Sequence, residues 1–228
     1  MALHHNPRIV TNGLSLALDC ASVNSYPGSG TTVFDLSGNG LHATGGSIQT
    51  EAFGTRNSLY SGTTATVPSS SILDTDIHSI FMIIRFKSNA TYPNGYTGNW
   101  DKFFTHAPAG TDRSPGVWRW PSSRYIHWRY DPVNSGCDFG KDSAGSQFDL
   151  DKDYLIGVTK DFSIAKTYVD GVKVTTQTVA TNKTSGSAPI YLFESYPSGL
   201  MEIKNVLIYN RLLSEGEAAQ INASLKSR

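Results

Sequence analysis

The sequence predicts an all-β domain, two antiparallel sheets packed face to face as a jelly-roll sandwich and finished by one short helix. Three observations predict it. Segments rich in β-branched and aromatic residues recur between Gly, Pro, Asn and Ser along the whole chain, "TYVDGVKV" reads as a hairpin, and no long helical period is present to carry parallel crossovers. Taken in order, strands are expected over 14–19 (LSLALD), 79–87 (SIFMIIRFK), 116–120 (GVWRW), 124–130 (RYIHWRY) and 153–160 (DYLIGVTK). Further strands are expected over 165–170, 172–179, 188–195 and 203–210. Asp170-Gly171 supplies the two positive-φ positions of a type I′ turn, whose twist matches the strands it joins. At the end of the chain Ser214 with Glu217 makes a capping box, and Ala218, Ile221 and Leu225 then recur at helical spacing. A short C-terminal helix is expected to pack on a sheet.

With 228 residues, 39% hydrophobic and 17% charged, the chain is long enough to bury a full core, and nothing in its middle resembles a linker. One domain is expected over 13–228, preceded by an arm over 1–12 that carries Pro7 and no apolar period. Nineteen basic and nineteen acidic residues cancel without any basic run, which argues against nucleic acid or anionic lipid as the main partner. The longest apolar stretch, 79–86, is too short to span a bilayer, and the start "MALHHNPRIV" lacks the pattern of a secretory signal. The expectation is a soluble chain made without export. Cys20 and Cys137 match no zinc or CxxC spacing and are expected as buried, reduced thiols, compatible with assembly in a cytoplasm.

Several segments together resemble a family. "LSLALD", "NSYPGSGTTVFDLSGNGLHATGG" (24–46), "LYSGTTATVPSSSILDTDIHSIFMIIRFK" (59–87), "TYVDGVKV" and "PIYLFESYPSGLMEIKNVLIYNRLLSEGE" (189–217) fall in the order seen in concanavalin A-like, laminin G-like lectin/glucanase domains. "HHNPRIVTNGL" with "SYPGSGTTVFDLSGNG" is similar to the laminin G-like domains of virion structural proteins of tailed bacteriophages, particularly marine ones. The resemblance implies a virion component assembled in the host cytoplasm. Its partners would be capsid or tail subunits, possession of a host-surface glycan site is compatible with it, and a homo-oligomer suits it. Heptads, collagen-like runs and shaft repeats are absent, which favours a small capsid decoration protein over a full tail fibre. The alternative is a carbohydrate-binding or host-adhesion module.

The sequence departs from that family where metal would bind. Tyr60-Ser61-Gly62 stands where such domains usually carry Phe-Asp-Gly, and Lys204 and Asn205 replace acidic residues ahead of the last strand. Among the remaining carboxylates, Asp149, Asp151 and Asp153 alternate in "DLDKD", but an EF-hand loop starting there would need Gly and Glu where Tyr154 and Lys160 stand. Asp35, with Asn39 in "DLSGNG", is expected to form an Asx turn in preference to a Ca²⁺ site. No metal or other cofactor is expected.

Catalysis is not expected either. Glycan hydrolases on this fold place two carboxylates on one strand face, one to protonate the leaving oxygen and one to attack. Here Glu194 and Glu202 are separated by the loop "SYPSGLM", and no G-x-S-x-G or H-E-x-x-H motif occurs. The histidines at 4, 5, 42, 78, 106 and 127 are scattered.

A binding surface is sought between 91 and 130, where Tyr92, Tyr96, Trp100, Trp118, Trp120, Tyr125, Trp128 and Tyr130 gather with arginines between them. Period-two alternation puts Ile126, Trp128 and Tyr130 on one face of their strand and Tyr125, His127 and Arg129 on the other. On one reading the tryptophans fill the space between the sheets and the Arg/His face is simply solvated. On the other, Tyr125, His127 and Arg129 with Arg119 beside them form an exposed platform for a sugar ring or a partner protein, rimmed by Tyr92 and Tyr96.

Overall fold

The computed structural model describes residues 8–50, 57–88, 100–106, 113–130, 135–181, 188–195 and 201–226. Its strands are β1 (Leu14–Asp19), β2 (Thr32–Val33), β3 (Ala43–Thr50), β4 (Asn57–Val67), β5 (His78–Phe86), β6 (Asp101–His106) and β7 (Gly116–Arg119). They continue as β8 (Ile126–Arg129), β9 (Gly136–Phe139), β10 (Asp153–Asp161), β11 (Ile164–Val169), β12 (Val172–Thr178), β13 (Ile190–Ser195) and β14 (Met201–Tyr209), before helix α1 (Glu215–Lys226).

Two antiparallel sheets face each other. One runs β12-β11-β10-β5-β14 with β1 on the far side of β14, and the other runs β3-β4-β13-β6-β7-β8-β9 with β2 on β3. Strand β4 belongs to both, pairing with β14 at Leu59 and Tyr60 and with β13 from Ala65 to Val67. The apolar run of β5 is continuous because both of its faces are covered. Ile80, Met82, Ile84 and Phe86 point between the sheets, while Phe81 and Ile83 point to a second core under α1. Ala218, Ile221 and Leu225 close that second core against Leu155, Tyr168 and Leu207. Each large apolar side chain so buried stabilises the fold by about 1.5–3 kcal/mol.

The hairpin and the helix form as their residues dictate. Asp170 and Gly171 have φ of 52° and 78°, and Val169 pairs with Val172 across them. Ser214 Oγ accepts the Glu217 N–H at 3.2 Å, and the Glu217 carboxylate accepts the Ser214 N–H at 2.8 Å. Of the expected arm, residues 8–12 are described, and they lie on the domain. Val10 joins the core under α1, its carbonyl accepts the Tyr209 hydroxyl at 2.9 Å, and the Arg8 carbonyl accepts the Gln220 amide at 2.7 Å.

Strands β2, β3, β6 and β9, and β4 ahead of residue 65, are additions to the sequence reading. "ATGGSIQT" in β3 has Gly45 and Gly46 at φ of 78° and 83°, and its register against β4 shifts there. Such a bulge hides the period of two. Cys20 and Cys137 are free and buried, and burial pushes both thiols up to about 12.

Candidate functional site

The outward face of β6, β7, β8 and β9 carries a group of aromatic and charged side chains that belongs to neither core. Its geometry follows from one register: Trp118 pairs with His127, Val117 with Trp128, and Arg119 with Ile126. Val117, Ile126 and Trp128 point into the inter-sheet core, so Trp118 and His127 point away from it. Asp138 pairs with His127 from β9, and Lys102 pairs with Trp118 from β6.

His127 is the centre of the group. Its ring lies 4.5 Å from that of Trp100, 5.0 Å from Trp120 and 5.7 Å from Trp118, between centroids. Trp100 and Trp120 also touch each other at 4.7 Å, inclined by 41°. Trp118 is 7% exposed although it belongs to neither core, whereas Trp100 is 36% exposed. The Arg113 guanidinium stands 5.6 Å over the Trp118 ring.

Ion pairs border the indoles. Asp138 accepts from His127 Nδ1 at 2.9 Å and from Arg129 at 2.7 Å, and Lys102 meets Glu194 at 3.0 Å. Partial burial works to raise the Asp138 carboxyl, but the hydrogen bonds from His127 and Arg129 outweigh it and hold the group at about 2. It is therefore an ionised acceptor at neutral pH, unsuited to giving up a proton.

This arrangement corrects the expected platform. Arg119 lies on the core side at 0% exposed, bound to the buried Asp101 at 2.5 Å and to the carbonyls of Trp120 and Ser123. His127 and Arg129 do share the outward face, yet they are buried beneath the indoles and the Asp138 pair. Tyr125 is half-buried beyond the end of β8, where its carbonyl accepts the Trp120 N–H. Tyr92 and Tyr96 lie outside the described residues. Of the tryptophans only Trp128 is core, and the other three form the outward group with the histidine.

No protein-family model and no curated protein matches the chain. Solved structures match it. It superposes on the binding domain of Paraclostridial Mosquitocidal Protein 1 with a TM-score of 0.71 and 16% identity, over 93% of this chain and 52% of that one. The fold is a jelly-roll β-sandwich. The botulinum neurotoxin serotype D binding domain gives a TM-score of 0.67 at 16% identity, over 93% and 52% of the two chains. A Trypanosoma rangeli sialidase solved with sialic acid gives 0.62 at 15%, over 94% and 33%. The sandwich thus spans about half the length of these toxin domains and about a third of the sialidase.

The other carboxylates singled out in the sequence serve the sandwich itself. Asp35 accepts the N–H groups of Ala17, Ser37 and Leu41 at 2.9 to 3.1 Å, tying its loop to β1 as an Asx turn. Asp149 binds Lys141 and Tyr154, Asp151 binds Ser88, and Asp153 binds Arg85 and Lys204. Glu202 pairs with Lys87, on the other sheet from Glu194. Among the described residues no three His, Cys, Asp or Glu side chains gather as a metal site would require.

Proposed function

We propose that this protein is a non-catalytic recognition module that binds carbohydrate through the indoles of Trp100 and Trp120, backed by Trp118 and His127. The observation that carries the reading is the placement of three tryptophans outside both cores, around a histidine, with the outermost 36% exposed. Indole faces take up the C–H face of a sugar ring, and the flanking Asp138, Lys102 and Glu194 offer acceptors and donors to hydroxyls. Solved structures of similar fold include two toxin binding domains and a sialidase holding sialic acid, which supports a role in recognition. The carboxylates of this face, Asp138 and Glu194, are both ion-paired, which speaks against the acid and nucleophile roles of glycan hydrolysis.

Calorimetric titration with a panel of neutral and sialylated oligosaccharides, followed also by tryptophan emission, tests this. At least one class is expected to bind and shift the emission, with Trp100→Ala and Trp120→Ala each weakening affinity about tenfold or more. No binding across the panel, or unchanged affinity in both variants, overturns the proposal. Reducing-sugar release from laminarin-like substrates would reassign the domain as a hydrolase.

The setting we propose is the surface of a phage particle, as a decoration or adhesion protein. The likeness of "HHNPRIVTNGL" and "SYPGSGTTVFDLSGNG" to virion proteins supports it. Weak sugar sites repeated over a particle would gain strength by multivalency. Electron cryo-microscopy of the parent particle tests the setting separately. A regular array on the shell is expected, occurrence at a tail tip alone would favour adhesion, and absence from the particle would remove the virion reading.

A further inference from the structure

Between the sheets the inward-facing positions are apolar along most of their length and turn polar at one end. On β5 they run Phe86, Ile84, Met82, Ile80 and finish at His78, and on β10 they run Tyr154, Ile156, Val158 and finish at Lys160. His78 and Lys160 are direct partners in the β5–β10 ladder. From the opposite sheet β8 presents Trp128 and then Tyr130, and β6 presents Phe104 and then His106. His78, His106, Lys160 and Tyr130 are 2%, 2%, 0% and 1% exposed. His78 Nε2 stands 3.3 Å from the Tyr130 hydroxyl. The Lys160 ammonium lies 5.3 Å from the Tyr130 ring and donates to the Asp76 carbonyl at 3.4 Å.

We propose that this cluster is an acid-sensitive latch: protonation of His78 beside the Lys160 ammonium places like charges in a water-excluded space, and the strands part there to admit water. Burial, and next the charge of Lys160, pushes the closed-state His78 imidazole down from 6.5 to about 3. An opened, hydrated His78 returns to its ordinary value. The opened form therefore binds more protons between pH 6.5 and 3, so opening is favoured as pH falls through that window. His106 faces His78 from β6 with the same effect on protonation, while Asp76 and Asp161 act on Lys160 in the opposite sense to its burial. Cys137, which faces Tyr130 from β9, stays a neutral thiol throughout, because burial holds it up at about 12.

Hydrogen exchange of the full chain at pH 7.5 and pH 5, corrected for intrinsic rates, tests the latch. Opening of 78–80, 128–130 and 158–161 is expected to increase about 30-fold on acidification, with α1 and its core unchanged. His78→Gln is expected to abolish most of the increase. Lys160→Met keeps the bulk of the side chain without its charge, and is expected to leave the change between pH 7.5 and 5 nearly intact while making the increase level off at a higher pH, read by extending the exchange to pH 3. Opening independent of pH, an increase shared equally by the whole domain, or a full increase in His78→Gln would overturn the proposal.

Discussion

Arg119 is charged at a position with no solvent exposure, held by Asp101 and by two carbonyls. Removing it strands a buried carboxylate. Arg119→Ala is expected to cost about 3–5 kcal/mol in urea unfolding, and Arg119→Met with Asp101→Asn markedly less. Equal losses in the two would show that the charge pair is incidental. This residue also shows where sequence reasoning stops. Parity along one strand was legible, so Ile126 and Trp128 were rightly placed opposite His127 and Arg129. The phase between neighbouring strands was not, because it depends on how the turn from Trp120 to Tyr125 sets the Trp118–His127 pairing. A shift of one residue would have put Arg119 beside His127. The concentration of tryptophans was the visible signal of the site, whereas the contribution of Asp138 depended on β9, too short to read.

At the scale of elements, the β11–β12 hairpin and α1 stabilise each other. The Asp170 side chain accepts the Leu155 N–H at 3.0 Å and pairs with Lys226 at 2.7 Å, while a Cβ on Gly171 would lie 2.9 Å from Ala219 Cα. Gly171→Ala combines a positive φ with that contact and is expected to destabilise by about 1–3 kcal/mol, measured by thermal unfolding. Ser214→Ala removes the cap and is expected to cost about 1 kcal/mol by the same measurement. Hydrogen bonding from Arg211 holds the Glu217 carboxyl at about 2, against an ordinary 4.5. Its contribution is present above pH 4.5 and lost as pH falls through about 2, so the penalty of Glu217→Gln should shrink in that interval. A penalty constant from pH 5 to pH 2 would contradict this. Both elements were legible because their signals are local: a two-residue turn and a cap three residues wide. Strand β3 and the first part of β4 are hidden by glycines, serines and threonines that take their conformation from pairing.

For the whole molecule, alkaline titration offers a further check. Lys204 is 1% exposed, and burial pushes its ammonium down to about 8 despite Asp153 at 2.9 Å. The unfolded chain then holds more protons between pH 8 and 10.5, so this group adds stability as pH rises through that range. Lys204→Met should remove the rise, measured by urea unfolding at pH 7.5 and pH 9.5. An unchanged slope would mean that water reaches the amine. The sandwich itself was readable from composition and alternation, since burial on one or both faces is written into each long strand. How its two sheets join was not, because it depends on β4 leaving one partner for another partway along its length.

That shared strand makes the sandwich mechanically uneven. Along β4 the layers are stitched by backbone hydrogen bonds, but on the far side β9 lies near β11 and β12 without a ladder among the described residues, and the Ala180 N–H donates to the Ser135 hydroxyl across the gap. The two layers are thus closed by backbone pairing along β4 and, among the described residues, left without it between β9 and β12, and the tryptophan face is carried by β7 and β8, next to that open edge.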